Sequence, residues 1–125
     1  MAKAGANPEA GISARKFQAF QRAELVGHAM VHDQRHLFIA PIENISGGGL
    51  FIQNLVSILT GAEVRVVIKS AVLHETIQAT GKVVRVEKND RRGLAIEFTS
   101  ISGKSRGLIQ NAVQEARLEA ELKVA

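Results

Sequence analysis

The sequence predicts an all-β fold, a six-stranded antiparallel β-barrel followed by a C-terminal α-helix. Three observations point there. Short apolar runs with a period of two fill the middle of the chain. One long run changes phase partway along, as a bulged strand does where a small barrel closes. The last quarter switches to a helical period.

Taken in order, residues 1–14 are rich in Ala and Gly, contain Pro8, and read as a flexible leader ahead of a single barrel domain over 15–125. Runs 25–31 and 37–42 are strands joined as a hairpin across Asp33-Gln34-Arg35. Pro41 cannot donate to a ladder, so its part of the second run belongs at an edge or bulge. Leu50-Phe51-Ile52 follows a glycine run. After the turn at Thr60-Gly61, Val64, Val66 and Ile68 alternate with Glu63, Arg65 and Val67. In the run 76–88, Ile77, Ala79 and Val83 share one parity while Val84 and Val86 have the other, which marks the bulge. The segment 89–93 turns into Leu94, Ile96 and Phe98, giving a long hairpin. Finally Leu108, Ile109, Ala112, Val113 and Ala116 share one helical face, capped by Ser100 or Ser102.

Composition narrows the function. Of 125 residues, 46 % are apolar and 22 % charged, an ordinary globular balance. With no cysteine, thiolate metal sites and cysteine nucleophiles are excluded, and a cytoplasmic location is expected. No apolar run is long enough to span a membrane, and the N-terminus lacks a secretory signal, so membrane insertion is not expected. The net charge of +4 is concentrated in residues 1–35 and 82–92. That suits a small anionic ligand and is thin for a nucleic-acid polymer, whose phosphates must be neutralised in number. With five Phe and neither Trp nor Tyr, a base-stacking platform for single strands is hard to assemble.

No catalytic constellation is present. Gly103-Lys104-Ser105 ends like a phosphate loop, but the glycine such a loop needs five residues earlier is Phe98, on a strand. No strand–turn–helix elbow frames a nucleophilic serine. His28, His32 and His36 recur every four residues, yet they fall across two strands and a turn, so no metal site is expected. His32 and His36 flank the turn and are candidates for cross-strand neighbours.

The segment that carries chemistry is Asn44-Ile45-Ser46-Gly47-Gly48-Gly49. Three successive glycines let the backbone turn sharply and let another molecule approach it closely. The Asn44 amide can both donate to and accept from a purine edge, and the Ser46 hydroxyl can reach a phosphate. Equally, the segment can be a tight connection in which both side chains serve their own backbone.

Asn44-x-Ser46-x-x-Gly49 resembles the Asp/Asn-x-Ser-x-x-Gly motif of the PilZ family, small bacterial β-barrel domains that bind cyclic di-GMP. The frame agrees over roughly residues 15–115. It includes Leu50-Phe51-Ile52, the unit from Thr60 to Val66, Ala79-Thr80-Gly81-Lys82-Val83-Val84, and the closing Gly93-x-x-x-x-Phe98. The family's other signature, R-x-x-x-R on an N-terminal segment that wraps the ligand, is incomplete. Arg22 stands at the second arginine, Gln18 at the first, with Arg15 and Lys16 nearby. The resemblance implies a ligand site of Arg15, Lys16, Gln18, Arg22, Asn44, Ser46, Gly48 and Gly49. It implies cyclic di-GMP as ligand, no cofactor, and no enzymatic activity. With no output domain in these residues, the expected action is through an unidentified protein partner in motility, pilus or polysaccharide machinery. The alternative is an adaptor of the same fold that has lost the nucleotide. Replacing Ser46 or Arg22 with Ala is expected to weaken binding while leaving the melting point of the free protein nearly unchanged.

Overall fold

Seven strands precede one helix: β1 (Arg22–Ala23), β2 (Gly27–His32), β3 (Leu37–Ser46), β4 (Gly49–Gln53), β5 (Glu63–Ser70), β6 (Ile77–Glu87), β7 (Gly93–Ile101) and α1 (Gly103–Val124). The structure is a computed structural model that describes residues 21–53, 58–88 and 92–124. The leader expected over 1–14, together with Arg15, Lys16 and Gln18, lies outside the described residues. The sheet order β1-β3-β2-β5-β6-β7-β4, with β4 returning to β3, closes six antiparallel strands into a barrel. The seventh strand, β1, is an addition to the six expected. It pairs with the end of β3, Arg22 opposite Ser46 and Ala23 opposite Ile45.

The alternation that announced the strands is the alternation of burial. On β5, Val64, Val66 and Ile68 enter the core while Glu63, Arg65 and Lys69 face solvent. The β2–β3 turn is closed by Asp33, whose Oδ1 accepts the amides of Arg35 at 2.7 Å and His36 at 2.6 Å. The Arg35 amide leads in holding the Asp33 carboxyl below its ordinary range. It prevails over the desolvation that pushes the other way, and His36 adds to it. His32 and His36 are not cross-strand neighbours: His32 faces Leu37, and His36 stays in the turn beside Asp33. Pro41, opposite His28, sits just before the register of β3 slips between Ile42 and Asn44.

The phase change read in β6 is a bulge. Register slips between Val83 and Arg85, so Val83 ends the buried set and Val84 is the extra, exposed residue. A second shift occurs between Thr80 and Gly81. The turn that joins β6 to β7 is described only at its edges, Lys88 and Arg92. Gly61 takes φ +94°, the left-handed region that only glycine enters freely, and its amide bonds Val83 O at 2.7 Å. Helix α1 is capped by Ser102, whose Oγ accepts the Ser105 amide at 3.0 Å, while Ser100 remains in β7. Ile109, Ala112 and Val113 join the barrel core, and α1 lies against β1 and β3. Among the described residues, no helix is long and apolar enough to cross a membrane.

β7 departs from half-burial. Leu94, Ile96 and Phe98 point inward as expected, yet Ala95 and Glu97, which point outward, are also buried, at 0 % and 6 % exposure. Phe51, outward between core residues Leu50 and Ile52 on β4, is only 3 % exposed. The outer wall of β3, β4 and β7 is therefore a second interior surface, and the motif lies on it.

Candidate functional site

The glycine-rich segment is a two-residue hairpin. β3 ends at Ser46, β4 begins at Gly49, these two residues face one another, and Gly47-Gly48 makes the turn. Polar groups of the turn are bonded both within it and to neighbouring elements. The Ser46 hydroxyl accepts the Gly48 amide at 3.1 Å and points its own donor at the Gly49 carbonyl, 3.5 Å away. The Gly48 carbonyl accepts the Phe98 amide at 2.8 Å, and the Gly47 carbonyl accepts Arg106 Nε at 3.0 Å. Gly47, Gly48 and Gly49 are all buried. The turn is thus pinned between β7 and the first turns of α1.

The two polar side chains of the motif part company here. Ser46 is fully buried and serves its own turn. Asn44, turned outward by the β3 bulge, is not satisfied in this way: its Oδ1 is buried with no hydrogen-bond partner among the described residues. Such an acceptor costs free energy until something donates to it. Ser46→Ala would leave the buried Gly48 amide without its acceptor. In contrast to what the sequence suggested, it should destabilise the free protein, by about 1–3 kcal/mol. Thermal denaturation of the variant checks this, and an unchanged melting curve would contradict the assigned hydrogen bond.

Arg22 reaches the same hairpin from the other edge of β3, opposite Ser46, and its carbonyl accepts Arg117 Nη1 of α1 at 3.4 Å. Burial first, and then the positive charge of Arg85, pull the Arg22 guanidinium below the ordinary arginine range. Register extends the row inward from Arg22 through Ser46 and Gly49 to Glu97 on β7 and Lys82 on β6. Of the residues singled out in the sequence, the structure brings together Arg22, Asn44, Ser46, Gly48 and Gly49. Arg15, Lys16 and Gln18 lie outside the described residues.

Sequence reasoning missed Glu97, Phe51 and Arg106. The buried Glu97 carboxylate, with Lys82 opposite in register, looks from the sequence like an ordinary exposed strand residue. Phe51 had a signal, an aromatic ring on the outward position of an otherwise inward-facing triplet. Its ring covers Gly93, where an added Cβ would collide with the ring and with the Ile52 carbonyl oxygen. Arg106 lies 59 residues from Gly47, a separation that local patterns do not bridge. A hollow of about 830 Å³ opens elsewhere, between the β2–β3 turn and the start of β5. Its charged lining, Asp33 and Glu63 against Arg35 and Arg65, mixes signs and includes no motif residue. Among the described residues, no group of three or more His, Cys, Asp or Glu side chains could hold a metal ion.

Comparison with known proteins gives the same frame. The family model described as the PilZ domain matches residues 16–115. No curated protein matches the chain in sequence. Among solved structures, the inhibitor of motility MotI/DgrA of Bacillus subtilis superposes with a TM-score of 0.68 at 16 % identity, over 80 % of this chain and 51 % of that one. The chain therefore spans about half the length of that protein. The PilZ domain of YcgR from Escherichia coli, solved with c-di-GMP, gives 0.62 at 10 % identity, covering 84 % of this chain and 95 % of that domain. The PilZ domain of CeSA from a cellulose-synthesizing bacterium gives 0.53 at 15 %, covering 76 % and 96 %. At these identities the likeness is one of fold.

Proposed function

Because the chain belongs to the PilZ domain family, we propose that it is a non-enzymatic cytoplasmic receptor for cyclic di-GMP. The observation that supports this most directly is the convergence of Arg22, Asn44, Ser46 and Gly49 on one outer wall of the barrel. Each has a chemical task there. The Asn44 Oδ1, lacking a donor, suits the N–H groups on the edge of guanine. The Ser46 hydroxyl holds Gly48 with a lone pair, while its proton engages Gly49 only at 3.5 Å and can be re-aimed at a phosphate oxygen. Gly48 and Gly49 contribute no side chain of their own to that wall. Arg22 brings a guanidinium, which grips a phosphate through paired hydrogen bonds.

The segment bearing Arg15, Lys16 and Gln18 would close over the ligand from the N-terminal side. That closure would present a new surface, so ligand affinity and partner affinity are linked. The partner on this reading belongs to motility, pilus or polysaccharide machinery, in keeping with an inhibitor of motility and a PilZ domain from a cellulose-synthesizing bacterium among the structural neighbours.

A second reading, an adaptor that contacts proteins without the nucleotide, draws on Gln18 at the first arginine position and on the complete burial of Ser46. Calorimetric titration with cyclic di-GMP, paired with thermal denaturation, separates the two. A receptor releases or absorbs heat and melts later as ligand is added, gaining about 2.7 kcal/mol at a hundred times Kd because only the folded state binds. Flat heats with an unmoved melting curve would establish the adaptor.

A further inference from the structure

Two bulges place on one row of the barrel wall residues that strict alternation would separate. On β3 the slip between Ile42 and Asn44 turns Asn44 outward while Ile42 and Ile45 stay in the core. On β6 the slip between Val83 and Arg85 acts likewise. Without it, Arg85 would follow Val83 and Val84 at an inward position. With it, Arg85 stands outward, opposite Ala95. Ala95 faces Phe51 on β4, and Phe51 faces Asn44 on β3. Asn44, Phe51, Ala95 and Arg85 therefore form a continuous cross-strand row beside the row that Arg22 and Ser46 begin. The short Ala95 side chain leaves Arg85 room to lean along its row, and its guanidinium carbon stands 6.0 Å from the centre of the Phe51 ring. From the opposite edge, Arg22 comes near enough for the two like charges to oppose one another.

We propose that Arg85 is a ligand-binding residue of this protein, forming with Arg22 a pair of guanidinium groups that receives a phosphate of the dinucleotide across the Phe51–Ala95 floor. The second arginine of the clamp then comes from the barrel wall rather than from position 18, where glutamine stands. The proposal rests on the receptor reading above. Two guanidinium groups on one wall together favour an anion, and a phosphodiester beside a planar base suits a guanidinium that already borders an aromatic ring. Before the ligand arrives, Glu87 occupies Arg85, Oε2 to Nε at 2.7 Å. Glu87 and Arg85 both point outward two residues apart, so the carboxylate competes with the phosphate for one guanidinium. It sets the affinity by holding Arg85 back.

The test is calorimetric titration of cyclic di-GMP into the full chain and its Arg85→Ala, Arg85→Lys, Glu87→Gln and Arg22→Ala variants, with melting curves to confirm folding. Arg85→Ala is expected to weaken binding about ten- to a hundredfold, the worth of one charge-assisted contact. Arg85→Lys should restore only part of that, since lysine keeps the charge without the fork. Glu87→Gln should bind more tightly than wild type, an outcome that a purely structural ion pair would not produce. Wild-type affinity in Arg85→Ala beside a weakened Arg22→Ala would overturn the proposal and leave the receptor reading intact. Equal affinity in Glu87→Gln would likewise count against it, and absence of binding by the wild type would remove both readings.

Discussion

Arg22→Ala should weaken cyclic di-GMP binding about ten- to a hundredfold, the loss expected for one charge-assisted phosphate contact. The free protein should melt where the wild type does. The backbone of Arg22 pairs with Ser46, and its carbonyl accepts from Arg117. Alanine keeps both. The guanidinium itself sits partly desolvated beside the like charge of Arg85, so its removal relieves desolvation and repulsion. Affinity and stability should therefore separate cleanly, which calorimetry and thermal denaturation of the same sample will show. Arg22→Lys is the sharper control. It preserves the cation and removes the paired donors, so it should fall between alanine and wild type if phosphate recognition is bidentate. Wild-type affinity in Arg22→Ala would mean that the dinucleotide does not lie against β1.

Much of this is legible in the amino-acid sequence. The β6 bulge could be read because its two ends differ in parity, Val83 on one side and Val84 and Val86 on the other. The helix face could be read because Ile109, Ala112 and Val113 repeat with the helical period. The glycine hairpin could be located because glycine between two apolar runs has few other uses. What escaped was pairing at a distance. Parity tells that a strand bulges but not which residue the bulge sets opposite Ala95, and hence not that Arg85 meets Phe51. Composition marks Glu97 as solvated, because burial of the outer wall depends on elements far away in sequence. The role of Ser46 was open for a different reason. A hydroxyl two residues before a glycine amide serves turn and ligand through the same atoms, and only the observed 3.1 Å contact shows the turn using it. The short β1 was missed since two residues hold too little pattern to announce a strand.

Ile45→Ala should be the most destabilising single truncation on the motif strand, about 2–5 kcal/mol, because the lost transfer free energy is compounded by a cavity. Ile45 is fully buried, flanked in register by Ala23 and Leu50, and belongs to the barrel core. A closed sheet hydrogen-bonded on both edges of β3 cannot collapse into the space as a loop could. Against total stabilities of about 5–15 kcal/mol for a domain, this is a large share, and chemical denaturation will read it directly. Yet Ile45 points inward, while its neighbours Asn44 and Ser46 point to the outer wall. Truncation should therefore leave the intrinsic affinity of the folded fraction close to wild type. Saturating cyclic di-GMP should then recover part of the lost stability, since the ligand draws on the folded state alone. If affinity instead collapses further than the unfolded fraction explains, the wall that receives the nucleotide is not set by strand register but by the packing behind it. The ligand would then be reading the core.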